Sequence, residues 1–175
     1  MATILSRSRW TSTAPKGKAI TWSRVRGIVC HYPAAGADIG VLTMEQEAAR
    51  LRGWRNYHVG MLGWADIGYN YAIGQSGRIY SLRGDRVGGH CYGHNSTTLG
   101  VLFIVGDDEE LTPAAKASFR ALRATLRKRG ASSGVWGHTE MSGNSTRCPG
   151  PKIMRNIRAG LSLIHISEPT RQEAI

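Results

Sequence analysis

The stretch Ile28-Val29-Cys30-His31-Tyr32-Pro33 sets an apolar run directly before a histidine and a proline-led loop. Such a run reads as a buried strand, so the histidine emerges where a sheet meets a loop, a usual address for a functional site. More than a hundred residues later, after Val135-Trp136, come Gly137-His138-Thr139-Glu140 and Arg147-Cys148-Pro149-Gly150. Imidazole and thiolate are both zinc ligands; a structural site fills all four positions with protein atoms, whereas a catalytic one leaves a position for water. Three candidate ligands stand here, His31, His138 and Cys148, with no fourth beside them. Neither CxxC nor HExxH occurs, and a lone histidine is more often a hydrogen-bonded structural residue than a ligand, so spacing alone leaves both readings open.

Working outward, Pro33-Ala34-Ala35-Gly36 makes a loop, and Thr43 with Gln46 forms a capping box opening a helix. Met44, Ala48 and Leu51 share one face of that helix, which is expected to end near Gly53. Tyr69 to Leu82 reads as a hairpin, since Tyr71, Ile73 and Ile79 flank a Gly74-Gln75-Ser76-Gly77 turn. Asp66 is expected to organise the turn before it, and His58 has no evident chemistry. Gly100-Val101-Leu102-Phe103-Ile104-Val105 is too continuously apolar for an edge and should be a central strand. Thr112-Pro113 starts the clearest helix, running to Arg129 with Gly130 as its stop. Its buried stripe is Ala115, Phe119, Leu122 and Leu126, while Lys116, Arg120, Arg123 and Arg127 read as a solvated basic face. A short helix over 152–159 closes the domain.

At 175 residues the chain is one domain's worth, long enough to bury a core without staples. No apolar run reaches membrane-spanning length, so no membrane insertion is expected, and Met1 to Arg7 lack the positive start and long apolar core of a secretory signal. The expectation is synthesis in a cytoplasm, with release or export by another route if the target lies outside. Three cysteines, Cys30, Cys91 and Cys148, cannot all pair, which argues against a disulfide scaffold; Cys30 reads as a buried free thiol. The formal charge of +11 attracts polyanions of any kind. No RNP, C2H2 or basic-heptad signature supports a specific nucleic acid, and acidic wall polymers satisfy the same electrostatics.

Several short pieces occur in an order that resembles the zinc-dependent type-2 N-acetylmuramoyl-L-alanine amidases, a family that includes bacteriophage lysozyme-type amidases and the peptidoglycan recognition proteins. They are Val29-Cys30-His31-Tyr32, Asp66-Ile67-Gly68-Tyr69-Asn70-Tyr71, Gly89-His90, Asn95, Leu99-Gly100-Val101, Gly137-His138-Thr139-Glu140 and Cys148-Pro149-Gly150. The resemblance implies an α/β fold with a central mixed β-sheet flanked by helices. It divides the chain into an N-terminal arm (1–20) packing on the domain through Trp10, a zinc amidase domain (21–160), and a tail (161–175). That tail, from Leu161 to Arg171, resembles a translated sequencing adapter and is set aside from fold reasoning.

The same resemblance implies a Zn2+ centre on His31, His138 and Cys148 that activates water against the bond between N-acetylmuramic acid and L-alanine. Tyr69 would stabilise the oxyanion or shuttle a proton, with Tyr71 the core member of the pair. Where many phage relatives carry a lysine two residues before the last ligand, this chain has Thr146, as do amidase-active recognition proteins, and a hydroxyl is the weaker donor. Arg147 points to solvent or to a substrate carboxylate. Glu140 would hold a ligand's second nitrogen or the backbone of the site loop. His90 and Asn95 match groove positions; without the resemblance His90, His94 and Asn95 read as a polar loop. The expected partner is peptidoglycan, the expected state a monomer, and the expected role that of a phage or prophage endolysin. The competing expectation is a non-catalytic peptidoglycan-binding module.

Overall fold

A computed structural model describes residues 1–161, so the adapter-like stretch lies, from residue 162 on, outside the described residues. Six strands form one mixed sheet: β1 (Ile4–Leu5), β2 (Gly27–His31), β3 (Tyr71–Gly74), β4 (Ile79–Ser81), β5 (Thr98–Ile104) and β6 (Gly134–Gly137). Their order is β1-β4-β3-β5-β2-β6, and only the β3–β4 hairpin is antiparallel. Three helices flank it: α1 (Met44–Asn56), α2 (Pro113–Lys128) and α3 (Pro151–Arg158). This is the central mixed sheet with helices that the resemblance implied. Among the described residues no helix is long and apolar enough to cross a membrane.

Register decides which side chains share a face. Tyr71 and Cys30 both lie opposite Val101, and that row packs under α2 with Phe103, Phe119, Leu122 and Leu126. Because successive side chains alternate across a sheet, the next row, Ala72, Leu102 and His31, points the other way. There α1 brings Ala48 and Leu51 onto Ala72, Tyr80, Leu82, Leu102 and Ile104. That cluster does not extend over β2 and β6, where a small group of Val29, Cys91 and Met141 packs instead. His31 therefore faces a part of the sheet left uncovered by α1.

The capping box forms as expected, with Thr43 Oγ1 accepting from Gln46 N and Gln46 Oε1 from Thr43 N. Gly53, however, does not end α1, which runs to Asn56 and into a wider turn over Tyr57–Met61. A glycine inside a helix costs about 1 kcal/mol, too little to stop it while Leu51 stays anchored in the core. The extension carries His58 inward, where its Nδ1 accepts from Gly68 N at 3.1 Å. The basic face of α2 also departs from expectation: Arg123 is buried and donates from Nη2 to Ser133 O, because the segment leading into β6 crosses the helix there. Gly130 stops α2 at φ +113, a backbone conformation that favours glycine.

Near the chain start, Trp10 is buried and donates to Ser81 O, while Arg7 stacks over its ring. Arg7 in turn meets Asp66, a fully buried carboxylate that accepts from Arg7, Arg55, Lys16 N and Ile67 N. Burial alone would raise the Asp66 pKa, but these hydrogen bonds and the Arg7 charge outweigh it and hold it below the ordinary value. A carboxylate with a depressed folded-state pKa adds stability above its unfolded value, about 3.9, and that contribution is lost as pH falls through the folded value. Asp66→Asn is expected to cost about 3–5 kcal/mol at neutral pH, the usual penalty for breaking a buried pair. Urea midpoints at pH 7 and pH 3 should differ less in this variant than in the parent chain.

Candidate metal centre

β2 and β6 are parallel neighbours with Cys30 opposite Gly137, so the next residue of each chain segment, His31 and His138, leaves the sheet at the same rim. Their ring centroids lie 4.7 Å apart. Cys148 reaches the same point from the turn before α3, its Sγ 3.5 Å from His31 Nδ1. One ligand atom from each of His31, His138 and Cys148 falls within 4.8 Å of the others. The connecting loop is closed by Thr139 N donating to Cys148 O, Gly137 N to Glu140 Oε2, and Cys148 N to Thr146 Oγ1.

The His31 ring is set from behind. His90 Nε2 lies 3.4 Å from Thr98 O, which can only accept, so that nitrogen carries the proton and His90 Nδ1 is the acceptor. His31 Nε2 then donates to His90 Nδ1 at 2.9 Å, and the lone pair of His31 Nδ1 is left facing Cys148. Room for the His90 ring comes from Gly100 and Gly88, where an added Cβ would strike it.

Burial lowers the His31 pKa well below the ordinary value, helped by repulsion from His90 and His138. It brings His90 down to about 3 and lowers His138, the latter against an opposing bond to Asn144. Burial likewise pushes the Cys148 thiol up to about 12, the Tyr32 backbone contact opposing and the Cys91 charge adding to the rise. The three donors are thus uncharged, two imidazole lone pairs and one thiol, a nitrogen and sulfur set that suits zinc and leaves a coordination position open. The thiol must give up its proton when a metal binds.

Tyr69 stands beside this trio, its ring 5.1 Å from His31. Burial, followed by the nearby Cys148 charge, raises its pKa and keeps the hydroxyl a proton-bearing donor. With Thr146, Trp64 and Pro33 it lines a hollow of about 250 Å³ that includes all three candidate ligands. A second, of about 510 Å³, shares Trp64, Gly89, His90 and His138 with it and extends past Asn95, Tyr92 and Asn144. Trp64 is 39% exposed, with His58 stacked beneath it at 4.6 Å.

The structure brings His31, His138, Cys148, Tyr69 and Thr146 together. His90 and Asn95 border the adjoining hollow, but the His90 ring is committed to His31, and Asn95 Oδ1 accepts from the backbone of His90 and Cys91. Glu140 turns onto the backbone of its own loop, the second of its two expected places. Arg147 is exposed and lines neither hollow. Sequence reasoning passed over Trp64, Tyr92 and Asn144: a tryptophan before a turn and an asparagine in a Gly/Ser-rich loop carry no signal until the two loops are seen to face each other. A hollow of about 550 Å³ beside Tyr71 lies away from the trio; there Arg129 and Tyr71 both meet Asp85, while Arg83 and Arg86 donate to backbone carbonyls.

Residues 21–151 match the family model described as N-acetylmuramoyl-L-alanine amidase. Over 161 residues the chain is 34% identical to peptidoglycan-recognition protein SC2 of Drosophila simulans, covering 89% of this chain and 85% of that one. It is 35% identical over 119 residues to the human N-acetylmuramoyl-L-alanine amidase, covering 63% of this chain and 20% of that much longer protein. Among solved structures, peptidoglycan recognition protein-LE in complex with tracheal cytotoxin superposes with a TM-score of 0.80 at 28% identity, covering 95% of this chain and 98% of that one.

A substitution at the glycine beneath His90 tests how the site is held. Gly100→Ala is expected to destabilise the fold by about 1–3 kcal/mol, the usual cost of overpacking, read as a lowered denaturant midpoint.

Proposed function

This chain belongs to the N-acetylmuramoyl-L-alanine amidase family, and on that premise we propose that it hydrolyses the amide between N-acetylmuramic acid and L-alanine in bacterial peptidoglycan. The observation that carries the reading is the convergence of His31, His138 and Cys148 at the floor of a groove. These residues would hold a zinc ion, which when bound supplies Lewis-acid activation to the reacting oxygen atoms.

The remaining work falls to the protein. Tyr69, kept protonated by burial, donates a hydrogen bond to the carbonyl oxygen as it gains charge. Thr146 Oγ1 already accepts from Cys148 N, so its own proton is free to serve as a second donor at the same hollow. His90 holds His31 in place rather than touching substrate, and Glu140 keeps the ligand loop closed. Trp64 offers a half-exposed aromatic wall shared by both hollows. Arg147 stays exposed and available to a carboxylate of the stem peptide. A formal charge of +11 favours an acidic wall, and wall lysis of the endolysin type is the role this reading carries.

A second reading, recognition of peptidoglycan without cleavage, is favoured by the recognition proteins among the relatives. The metal ligands separate the two, since binding alone needs no thiol and imidazole trio. Mass spectrometry of sacculi digested with and without a chelator decides between them. Amidase action is expected to free stem peptides beginning with L-alanine, beside intact glycan, only in the metal-replete sample. Undiminished release by a zinc-free preparation would overturn the mechanism, and unchanged sacculi with zinc-loaded protein would favour recognition alone. Cys148→Ser is expected to lose both stoichiometric zinc and hydrolysis. Tyr69→Phe should retain zinc but lower kcat about 100-fold, the effect of removing one oxyanion donor, as measured on a soluble muropeptide.

A further inference from the structure

Asn144 lies in the loop between two of the candidate ligands, and all of its side-chain hydrogen-bonding capacity is used. Its Nδ2 donates to Tyr92 O and to Ser142 O, both at 3.1 Å. Its Oδ1 accepts from Tyr92 N at 3.1 Å and lies 3.0 Å from His138 Nε2. An amide has two donor hydrogens and two acceptor lone pairs, so these four contacts fill it. They also determine which way it faces, because a flipped amide would set its NH2 against the Tyr92 N–H and its oxygen against two carbonyls. With the oxygen so placed, His138 Nε2 must be the donor. His138 Nδ1 is then the ring nitrogen that carries the lone pair.

Resting on the reading of His31, His138 and Cys148 as a metal centre, we infer that Asn144 is a positioning residue that locks His138 in its Nε2-protonated tautomer and presents Nδ1 to the metal. The lock is anchored outside the ligand loop, on both backbone groups of Tyr92. It is the counterpart of the arrangement at His31, where a backbone carbonyl acts through His90. Each imidazole is thereby turned the same way by an acceptor fixed to the backbone. The segment bearing His90 and Tyr92 supplies both anchors, and His94 Nε2, 3.0 Å from Ser142 O, ties the two loops a second time.

The two functions of the amide, orienting the ring and tying the loops, separate by substitution. Asn144→Ala removes both, whereas Asn144→Asp keeps an acceptor for His138 Nε2 and removes both donors to the carbonyls. Two measurements are made on each variant and on the parent chain. One is zinc affinity by competition with a chromophoric chelator; the other is 15N NMR of the imidazoles in the metal-free protein, after thermal melting has shown that each variant is folded. Asn144→Ala is expected to weaken zinc binding by about 10–100-fold, as loss of an outer partner to a ligating histidine does, and to give His138 a mixture of tautomers. Asn144→Asp is expected to keep the Nε2-protonated form and to recover most of the affinity. The inference is overturned if the alanine variant keeps the parent affinity and tautomer, or if the aspartate variant binds zinc as poorly as the alanine one. Failure of the parent chain itself to bind zinc would instead overturn the metal-centre reading, and the metal-free spectra would still report whether Asn144 sets the tautomer.

Discussion

The hydrogen bond from His31 to His90 exists because Gly100 has no side chain. β5 occupies the middle of the sheet, and Gly100 pairs with Val29 on the strand that ends in His31. The His90 ring lies in the space that any other residue at position 100 would fill. From there its far nitrogen reaches Thr98 O and its near one meets His31. A backbone carbonyl thus governs, through two imidazoles, which nitrogen faces the thiol. Close packing makes this arrangement stiff, since interiors tolerate few voids and little overlap.

Charge is distributed in keeping with that design. His31, Cys148 and the supporting His90 are buried and His138 is half-buried; burial keeps the imidazoles neutral, with lone pairs available, and leaves the Cys148 thiol protonated. The buried carboxylates lie elsewhere and serve structure. Asp66 gathers Arg7, Arg55 and the backbone of the entry segment. Glu47, fully buried on α1, accepts from Ser76, Arg78 and Tyr80 across the β3–β4 hairpin, in space left by Gly74. Each carboxylate is met by hydrogen bonds and an arginine, the condition under which buried charge is tolerable. Together they fix α1 and the hairpin over one half of the sheet. The other half, above β2 and β6, is left for the groove.

Much of this was legible in the residues. The apolar run ending in His31, the capping box at Thr43, the Thr112-Pro113 start and the continuous strand through Gly100 are local signals, set by hydrogen bonding and by periodicity within a few residues. The ordered motifs pointed to the family and named the three candidate ligands. Where local signals are weak they misled: Gly53 suggested an end to α1, and the basic periodicity of α2 suggested solvent at Arg123. At Gly53 a tertiary contact outweighed a preference of about 1 kcal/mol, and at Arg123 the Ser133 carbonyl meets the guanidinium in place of solvent.

What the sequence determined by itself was therefore the main helices, the hairpin and the central strands, without the edge strands Ile4–Leu5 and Gly134–Gly137, together with the chemistry of the donors. The tertiary structure decided their use. Residue types in a string do not say which loop will face which, so nothing in the order of residues set Asn144 against His138 and Tyr92, or made His90, which lines both hollows, also the support for His31. Those contacts join residues brought together by the parallel pairing of β2 with β5 and β6. A tautomer is set by the partner on the far side of the ring, and that partner is known only once the chain has folded.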